Sequence, residues 1–320
     1  MLLLSEFIFS QNTYSRSELL MGSRFDLTVI ADNELEGKEY LLLAINEIKR
    51  IENLISSWDS KSETSNINQN AGIKPVKVSR ELFTLIERSL ALSRLTDGAF
   101  DISYASMDRI WKFDGSMLQM PTDEQIKASV SKVGNHKVQL DSETLSVFLK
   151  EKGMKIGFGA IGKGYAADRA KSILVNRNVQ GGIINAGGDM STWGKQLNGD
   201  SWKVAIKNPL NKNRVFALLP SYENAIVTSG DYEKFVEFDG QRYTHIIDPR
   251  TGYPSTGLIS VTVIAPKAEL ADALATSIFV MGAEVGLNRV NQMKGVECLI
   301  ITENGDIHKS NNINLEDYEE

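Results

Sequence analysis

The chain has 320 residues, 42% of them hydrophobic, and a formal net charge of −6 at pH 7. This hydrophobic content is sufficient for the core of a globular protein. Acidic and basic residues are mixed along the chain without a basic block, which argues against a nucleic-acid partner. The single cysteine, Cys298, lies in an apolar run and is predicted to be buried, so neither a disulfide framework nor a thiolate metal site is expected.

The N-terminus starts with the apolar stretch MLLLSEFIFSQ, which is too short to span a bilayer. It lacks a basic start but otherwise resembles the second half of a signal peptide. Two interpretations of residues 1–20 remain: the remnant of an export signal, cleaved near Ser10, or a flexible arm. The first predicts a periplasmic or otherwise exported protein and the second a cytoplasmic one. No later segment has the ~18 to 20 consecutive apolar residues of a membrane helix, so no transmembrane segment is expected.

The first half of the chain is predicted to be mainly helical. An alternating, β-branched stretch at residues 24–31 predicts a strand, and a helical pattern follows at 37–55. The polar stretch 56–72 is expected to be irregular but ordered in places. Further helices are predicted at 79–96 and from Thr122, which has the spacing of a capping box with Gln125.

The second half is predicted to contain short strands, interrupted by two late helices. The predicted strands cover residues 145–149, 155–158, 182–185, 202–207, 215–218 and 225–228. Asp239-Gly240 and Asn304-Gly305 indicate hairpin turns. Strands in runs, without regular strand–helix alternation, favour an α+β fold with a mixed or antiparallel sheet.

The stretch GFGAIGKG at residues 157–164 fits two familiar nucleotide-binding patterns incompletely. As a Rossmann fingerprint it lies too late in the chain and lacks a suitably placed acidic residue. As a Walker loop it has Gly164 where a magnesium-binding hydroxyl is required. Two interpretations remain: a backbone that closely approaches an anionic ligand beside Lys163 and a helix N-terminus, or glycines that only permit close packing.

Three other stretches carry polar side chains that indicate a ligand site. NAGGD at 185–189 and TSGDY at 228–232 follow predicted strands and combine glycine with a carboxylate. His245 lies among other reactive side chains, whereas His136 and His308 resemble ordinary surface or strand residues. A structural histidine is the alternative interpretation of His245.

Asp272 and Thr276 are spaced four residues apart in a predicted helix rich in alanine. This spacing places two hard oxygen donors on one helix face, as Mg²⁺ or Ca²⁺ requires. The alternative is structural: a threonine bonded to its own helix beside a capping aspartate.

In this order, the stretches resemble the ApbE family of FAD:protein FMN transferases. The segments that carry the resemblance are MGSRFDLTVIA, SSWDSKSETSNINQNAG, DGAFDIS, GAIGKGYAAD, NAGGD, TSGDYEKF, THIIDPRTGYPS and ADALATSIFVMG, between Met21 and Gly282. The resemblance implies a single T-fold-like α+β domain over residues 21–320. It also implies that Mg²⁺ assists transfer of the FMN half of FAD to a Thr or Ser hydroxyl of an exported or membrane-bound flavoprotein subunit, with release of AMP.

The resemblance also assigns roles to individual residues. It implies a metal site formed by Asp272, Thr276 and the backbone carbonyl of Ala160. It implies FAD contacts at Met21, Trp58, Ala99, Phe100, Asp101, Gly157, Lys163 and the backbone of Ile246. It places His245 near the reacting pyrophosphate, with Lys163 balancing charge there. Either His245 or Asp231 would serve as the catalytic base.

This sequence departs from the family pattern at Gly157, where members commonly have an acidic residue that contacts the nucleotide. The implied contact at this position is therefore absent or supplied elsewhere. Residues 1–20 also lack the lipobox cysteine with which many members are anchored. Two other functions are compatible with the same residues: a metal-dependent FAD pyrophosphatase that yields FMN and AMP, and a non-catalytic FAD-binding protein.

Overall fold

The computed structural model describes residues 11–207, 215–230 and 235–313, apart from the side chains of Lys207 and Val215. Its largest sheet has eight strands, and every pair of neighbouring strands is antiparallel. In their order across the sheet, the strands are β1 (Asn12–Leu20), β2 (Ser23–Ala31), β6 (Gly182–Ala186), β7 (Asp189–Trp193), β10 (Ala225–Gly230), β13 (Leu258–Ala265), β14 (Glu297–Thr302) and β15 (Ile307–Lys309).

Three smaller sheets lie outside this one in the described part of the chain. They are β3 (Val76–Lys77) with β5 (Ser146–Leu149) and β4 (Val138–Asp141), β8 (Trp202–Lys207) with β9 (Val215–Ser221), and β11 (Phe235–Phe238) with β12 (Gln241–Thr244). The two predicted hairpin turns are confirmed, since Asp239-Gly240 joins β11 to β12 and Asn304-Gly305 lies between β14 and β15.

The described residues form seven α-helices and two short 3₁₀ helices. The α-helices are α1 (Glu34–Ile55), α2 (Glu63–Gln69), α3 (Arg80–Leu95), α4 (Asp123–Ser129), α5 (Gly162–Asn176), α6 (Ala268–Met281) and α7 (Ala283–Val290). The 3₁₀ helices cover Ile102–Ser106 and Asn135–Lys137. No helix in the described ranges combines the length and the hydropathy needed to cross a membrane.

The main core lies between the large sheet and a row of helices. Helix α1 packs on β1 and β2, α5 on β6 and β7, and α6 on β10 and β13. In α1 the buried side chains recur every three or four residues, from Leu41 to Ile55, so that one face of the helix meets the sheet. A second, smaller apolar cluster joins the β8–β9 hairpin to side chains of β10 and β14. The predicted α+β fold is therefore confirmed.

One sequence-based prediction of local structure was wrong. Residues 155–158 are not a strand, because the backbone N–H and C=O of Ile156 bond to the side-chain amide of Asn68, at 2.8 and 3.0 Å, instead of to a neighbouring strand. The ordered part of the stretch 56–72 is α2, whose N-terminus is capped by Ser62 through the amide of Ser65.

Part of the N-terminal segment belongs to the large sheet. Residues 12–20 form β1 and pair with β2 along the whole strand. The two strands are joined by a turn at Met21 and Gly22, whose φ angles are 51° and 71°. Residues 1–10, which carry most of the predicted export signal, lie outside the described residues.

Candidate active site

A cleft of about 970 Å³ lies among the described residues, and its size suits a cofactor-sized ligand. Its walls come from the β1–β2 turn, the end of α1 with the loop after it, residues 99–111, the loop before α5, and residues 245–249. Thr276 of α6 also lines it. The structure thus brings together segments that are distant in the chain.

Most of the residues that the family resemblance implied line this cleft. They are Met21, Trp58, Ala99, Phe100, Asp101, Ala160, Lys163, His245, Ile246 and Thr276. Asp272 is almost fully enclosed behind the cleft, with 4% of its surface exposed. Asp231, the alternative base, lies outside the described residues.

Gly157 does not line the cleft and is instead buried beside it. Its amide donates to the carbonyl of Ile102 at 2.9 Å, and a Cβ atom at this position would lie 3.0 Å from the Cβ of Ala105. Its φ is not in the left-handed region, so its backbone does not require glycine. Gly157 therefore packs beside the cleft, and the nucleotide contact implied at this position stays a prediction.

The glycine-rich loop turns directly into α5. The amides of Ile161 and Gly162 donate to the carbonyl of Phe158 at 3.2 and 2.6 Å, and this turn places Ala160 at the cleft. Gly164, in the first turn of α5, packs against the backbone of α6, because a Cβ there would lie 2.2 Å from the carbonyl oxygen of Ala268. The loop therefore lines the cleft at Gly159 and Ala160, and Gly164 permits the two helices to approach closely.

Helix α6 carries Asp272 and Thr276, as predicted. The amide of Gly164 donates to the Oδ2 atom of Asp272 at 3.1 Å, so this carboxylate contacts the N-terminal turn of α5. A carboxylate at a helix N-terminus accepts from amides that have no partner within the helix. Thr276 follows one turn later on α6 and reaches the cleft.

Asp189 was not predicted as a site residue, although the sequence analysis noted its motif. It begins β7 after the two-glycine turn and has 2% of its surface exposed. Its Oδ2 atom lies 2.6 Å from the Nζ atom of Lys163, and its carboxyl group lies beside that of Asp272. A trio of one half-buried cation and two buried carboxylates therefore lies at the inner side of the cleft.

Burial and mutual repulsion perturb both carboxylates of this trio. Burial, followed by the charge of Asp189, raises the pKa of Asp272 well above its usual range. Burial also raises the pKa of Asp189, while the ammonium group of Lys163 opposes that rise. With all three groups ionised, the trio carries one uncompensated negative charge.

The chemistry of these donors fits Mg²⁺. This ion prefers oxygen ligands and is commonly held by one or two carboxylates together with substrate phosphates. Asp272 offers a carboxylate, Thr276 a hydroxyl and Ala160 a carbonyl, and the carboxyl group of Asp189 lies beside that of Asp272. No cluster of three or more His, Cys, Asp or Glu side chains suited to a metal occurs in the described ranges.

The outer part of the cleft contains an exposed aromatic side chain. Trp58 is 77% exposed, and the guanidinium of Arg109 lies 4.4 Å from the centre of its ring. Both residues line the cleft, and Arg109 was not predicted from the sequence. An exposed indole at a cleft wall is suited to stacking on a flat ring system.

Asp101 and Met21 have structural contacts in addition to their places in the cleft. Asp101 caps the 3₁₀ helix Ile102–Ser106 by accepting from the amide and the hydroxyl of Ser103, at 2.8 and 2.6 Å. Burial raises the pKa of Asp101, and these hydrogen bonds oppose that rise. The amide of Met21 donates to Glu52, at 3.0 Å, which holds the β1–β2 turn at the cleft.

His245 follows the last residue of β12 and is exposed at the cleft. The segment after it is anchored on both sides. The Thr244 hydroxyl accepts from the amide of Ile246 at 3.1 Å, and the indole N–H of Trp111 donates to the carbonyl of Gly252 at 2.9 Å. These contacts fix the backbone that presents His245 and Ile246.

Comparison with known proteins identifies the class to which this fold and cleft belong. The sequence matches the ApbE family over residues 21–300, and the chain belongs to this family. Its relatives include an FAD:protein FMN transferase of Klebsiella pneumoniae, 35% identical, with 92% of this chain and 90% of the relative aligned. Another FAD:protein FMN transferase, from Treponema pallidum, is 31% identical over 90% of this chain and 84% of the relative.

Solved structures agree with this assignment. The ApbE protein of Thermotoga maritima superposes with a TM-score of 0.83 at 33% identity, covering 93% of this chain and 97% of that one. The flavin transferase ApbE from Vibrio cholerae also gives a TM-score of 0.83, at 26% identity, covering 94% of this chain and 97% of that one.

Proposed function

We propose that this protein transfers the FMN half of FAD to a Thr or Ser hydroxyl of a partner protein, releases AMP and requires Mg²⁺. The observation that carries the proposal is the cleft in which the Lys163–Asp189–Asp272 trio adjoins Ala160 and Thr276. The names of the relatives support flavin transfer to protein. The predicted export signal supports an exported or membrane-bound flavoprotein subunit as the acceptor, and hence a periplasmic or otherwise exported location.

The reaction replaces the phosphoanhydride bond of FAD by a phosphate ester bond to the acceptor. The acceptor hydroxyl oxygen forms a bond to the phosphorus on the FMN side of the pyrophosphate. The bond from that phosphorus to the bridging oxygen breaks, and AMP leaves with this oxygen. The hydroxyl proton passes to a base. Bound Mg²⁺ would supply charge neutralisation at the pyrophosphate.

The residues of this chain would bind and orient FAD and would deprotonate the acceptor hydroxyl. Lys163, held by Asp189 and 28% exposed, balances charge on the pyrophosphate. Trp58 stacks on a ring system of FAD at the outer part of the cleft. His245 is the base that the proposal favours, because it is exposed at the cleft on an anchored segment.

The test is intact-mass spectrometry of a candidate exported flavoprotein subunit, incubated with this protein, FAD and MgCl₂. Addition of one FMN group to the acceptor, together with AMP release that EDTA abolishes, supports the proposal. FMN and AMP without a modified acceptor would instead indicate a pyrophosphatase. Bound FAD that remains intact would indicate a non-catalytic binding protein.

A pair of histidine variants tests whether His245 is the catalytic base. His245→Asn should lower the transfer rate by about 10²- to 10⁴-fold and remove the acid limb of the pH–rate profile. His308→Asn is the matched control, because His308 is exposed on β15 and does not line the cleft. An unchanged acid limb in His245→Asn would rule out His245 as the base.

A further inference from the structure

Helices α5 and α6 cap each other. Neither has a side-chain cap of its own, since the N-cap residues are Ile161 for α5 and Lys267 for α6. Asp168 of α5 accepts from the first two amides of α6, those of Ala268 and Glu269, each at 3.0 Å. In the opposite direction, Asp272 of α6 accepts from the amide of Gly164 in the first turn of α5.

Each carboxylate lies one helical turn from the point where its own helix meets the other. Asp168 follows Gly164 by four residues, and Asp272 follows Ala268 by four. The close backbone approach at Gly164 and Ala268 leaves no room for a Cβ atom at Gly164. Hydrogen bonds thus connect the two helices at two neighbouring positions along their length.

Strand β7 adds a third connection to the pair. The hydroxyl of Ser191 donates to the Oδ1 atom of Asp168 at 3.1 Å. Ser191 is two residues from Asp189, so both side chains project from the same face of β7. One strand face therefore contacts both interhelical carboxylates, Asp168 through Ser191 and Asp272 through Asp189.

We infer that Asp168 is a positioning residue that sets the place of α6, and with it Asp272 and Thr276, relative to Ala160 and Lys163. The inference rests on the proposed function, because it takes Asp272 and Thr276 to be the metal-binding residues. Asp168 itself does not line the cleft. It acts through the two α6 amides that it holds, and these precede Asp272 by a single turn.

The main test compares Asp168→Asn with a capping variant elsewhere. Asparagine keeps the size of the side chain, but its NH₂ group cannot accept from one of the two amides. Asn33→Ala is the control, because it removes the side-chain N-cap of α1. The Asn33 side chain accepts from the amide of Glu36 at the start of α1, whereas the residues of α1 that line the cleft lie near its other end. Both variants lose a helix cap, but only the first alters α6.

Three readouts separate positioning from general stability. Hydrogen exchange of residues 266–281 should be faster in Asp168→Asn and unchanged in Asn33→Ala. Titration with Mg²⁺ should raise the melting temperature and FAD binding of the wild type. In Asp168→Asn the Mg²⁺ concentration for half of either effect should increase about 10- to 100-fold, which is the scale for residues that orient metal ligands. FAD binding without Mg²⁺ should change less than twofold. Ser191→Ala, a milder change, should shift the same readouts in the same direction by less.

The inference is overturned if Asp168→Asn and Ser191→Ala both keep the wild-type Mg²⁺ half-saturation, or if Asn33→Ala shifts it equally. It is also overturned if the wild-type protein shows no Mg²⁺-dependent stabilisation or FAD binding. Wild-type protein that binds Mg²⁺ and FAD, and responds to Asp168→Asn, but does not modify an acceptor would contradict the proposed function alone.

Discussion

Replacing Asp272 by asparagine should stabilise the metal-free protein at neutral pH while abolishing its Mg²⁺ response. The structure encloses two carboxylates, 4% and 2% exposed, with one ammonium group. The introduced asparagine side chain would retain an acceptor for the amide of Gly164 and could donate its NH₂ group to Asp189. The remaining Lys163–Asp189 pair would then be balanced in charge.

The sign of the effect follows from the raised pKa values. A carboxyl whose pKa is higher in the folded than in the unfolded protein contributes stability below about pH 4, the unfolded value, and this contribution is lost as the pH rises through the folded value. Each unit by which the pKa in the folded protein exceeds the pKa in the unfolded protein lowers the free energy of unfolding by about 1.4 kcal/mol at pH values above both pKa values. Replacing a buried ion pair or triad by neutral residues of similar volume often gains up to about 1 to 4 kcal/mol, equivalent to about 2 to 8 °C in melting temperature for a domain of this size, and we expect a gain on this scale when the excess carboxylate is neutralised.

The assay is thermal melting in EDTA between pH 4 and pH 8, repeated with Mg²⁺. Asp272→Asn should melt above the wild type at pH 7, and this difference should shrink toward pH 4. Mg²⁺ should raise the melting temperature of the wild type only. Asp114→Asn, which alters an exposed carboxylate, should show no pH-dependent gain. A variant that melts below the wild type at pH 7 in EDTA would refute the electrostatic reasoning.

Three further substitutions test separate features of the cleft and its surroundings. Trp58→Ala should weaken FAD binding by about 1 to 3 kcal/mol, the scale of a stacked ring, with an unchanged melting temperature because the side chain is 77% exposed; fluorescence titration and a melt measure both. Gly164→Ala should lower the melting temperature by several degrees and raise the Mg²⁺ half-saturation, since its Cβ would lie 2.2 Å from the carbonyl oxygen of Ala268; equal melts would contradict the close approach. Gly157→Ala should lower the melting temperature slightly through its contact with Ala105 and leave FAD affinity within about twofold, whereas a large loss of affinity would restore a ligand role.

The sequence predicted the elements whose signals are local. The helix at 79–96 and the start of α4 follow from N-caps and apolar periodicity, and the structure has both, with the full capping box at Thr122 and Gln125. The spacing of Asp272 and Thr276 predicted a shared helix face for the same reason. Such features depend on residues within one or two turns of each other.

Features that depend on distant residues were missed. The stretch around Ile156 has the composition of a strand, yet its backbone bonds to the side chain of Asn68, and no local pattern distinguishes the two cases. The pairing of Lys163 with Asp189 joins the start of α5 to the start of β7, and it follows from how these elements pack on the sheet. Arg109 was missed similarly, because its contact with Trp58 joins two loops.

The glycine-rich loop shows why a pattern can match a phosphate-binding motif and yet belong to another kind of site. In a Walker loop the residue after the lysine provides a hydroxyl to Mg²⁺. Here that residue is Gly164, and a side chain at this position would collide with the backbone of α6. The same close approach brings Asp272 within hydrogen-bond distance of the Gly164 amide. The absence of the hydroxyl and the presence of a carboxylate from α6 are therefore two consequences of one helix contact. This contact explains physically why the side-chain oxygens that we propose as metal ligands, those of Asp272 and Thr276, lie more than a hundred residues further along the chain.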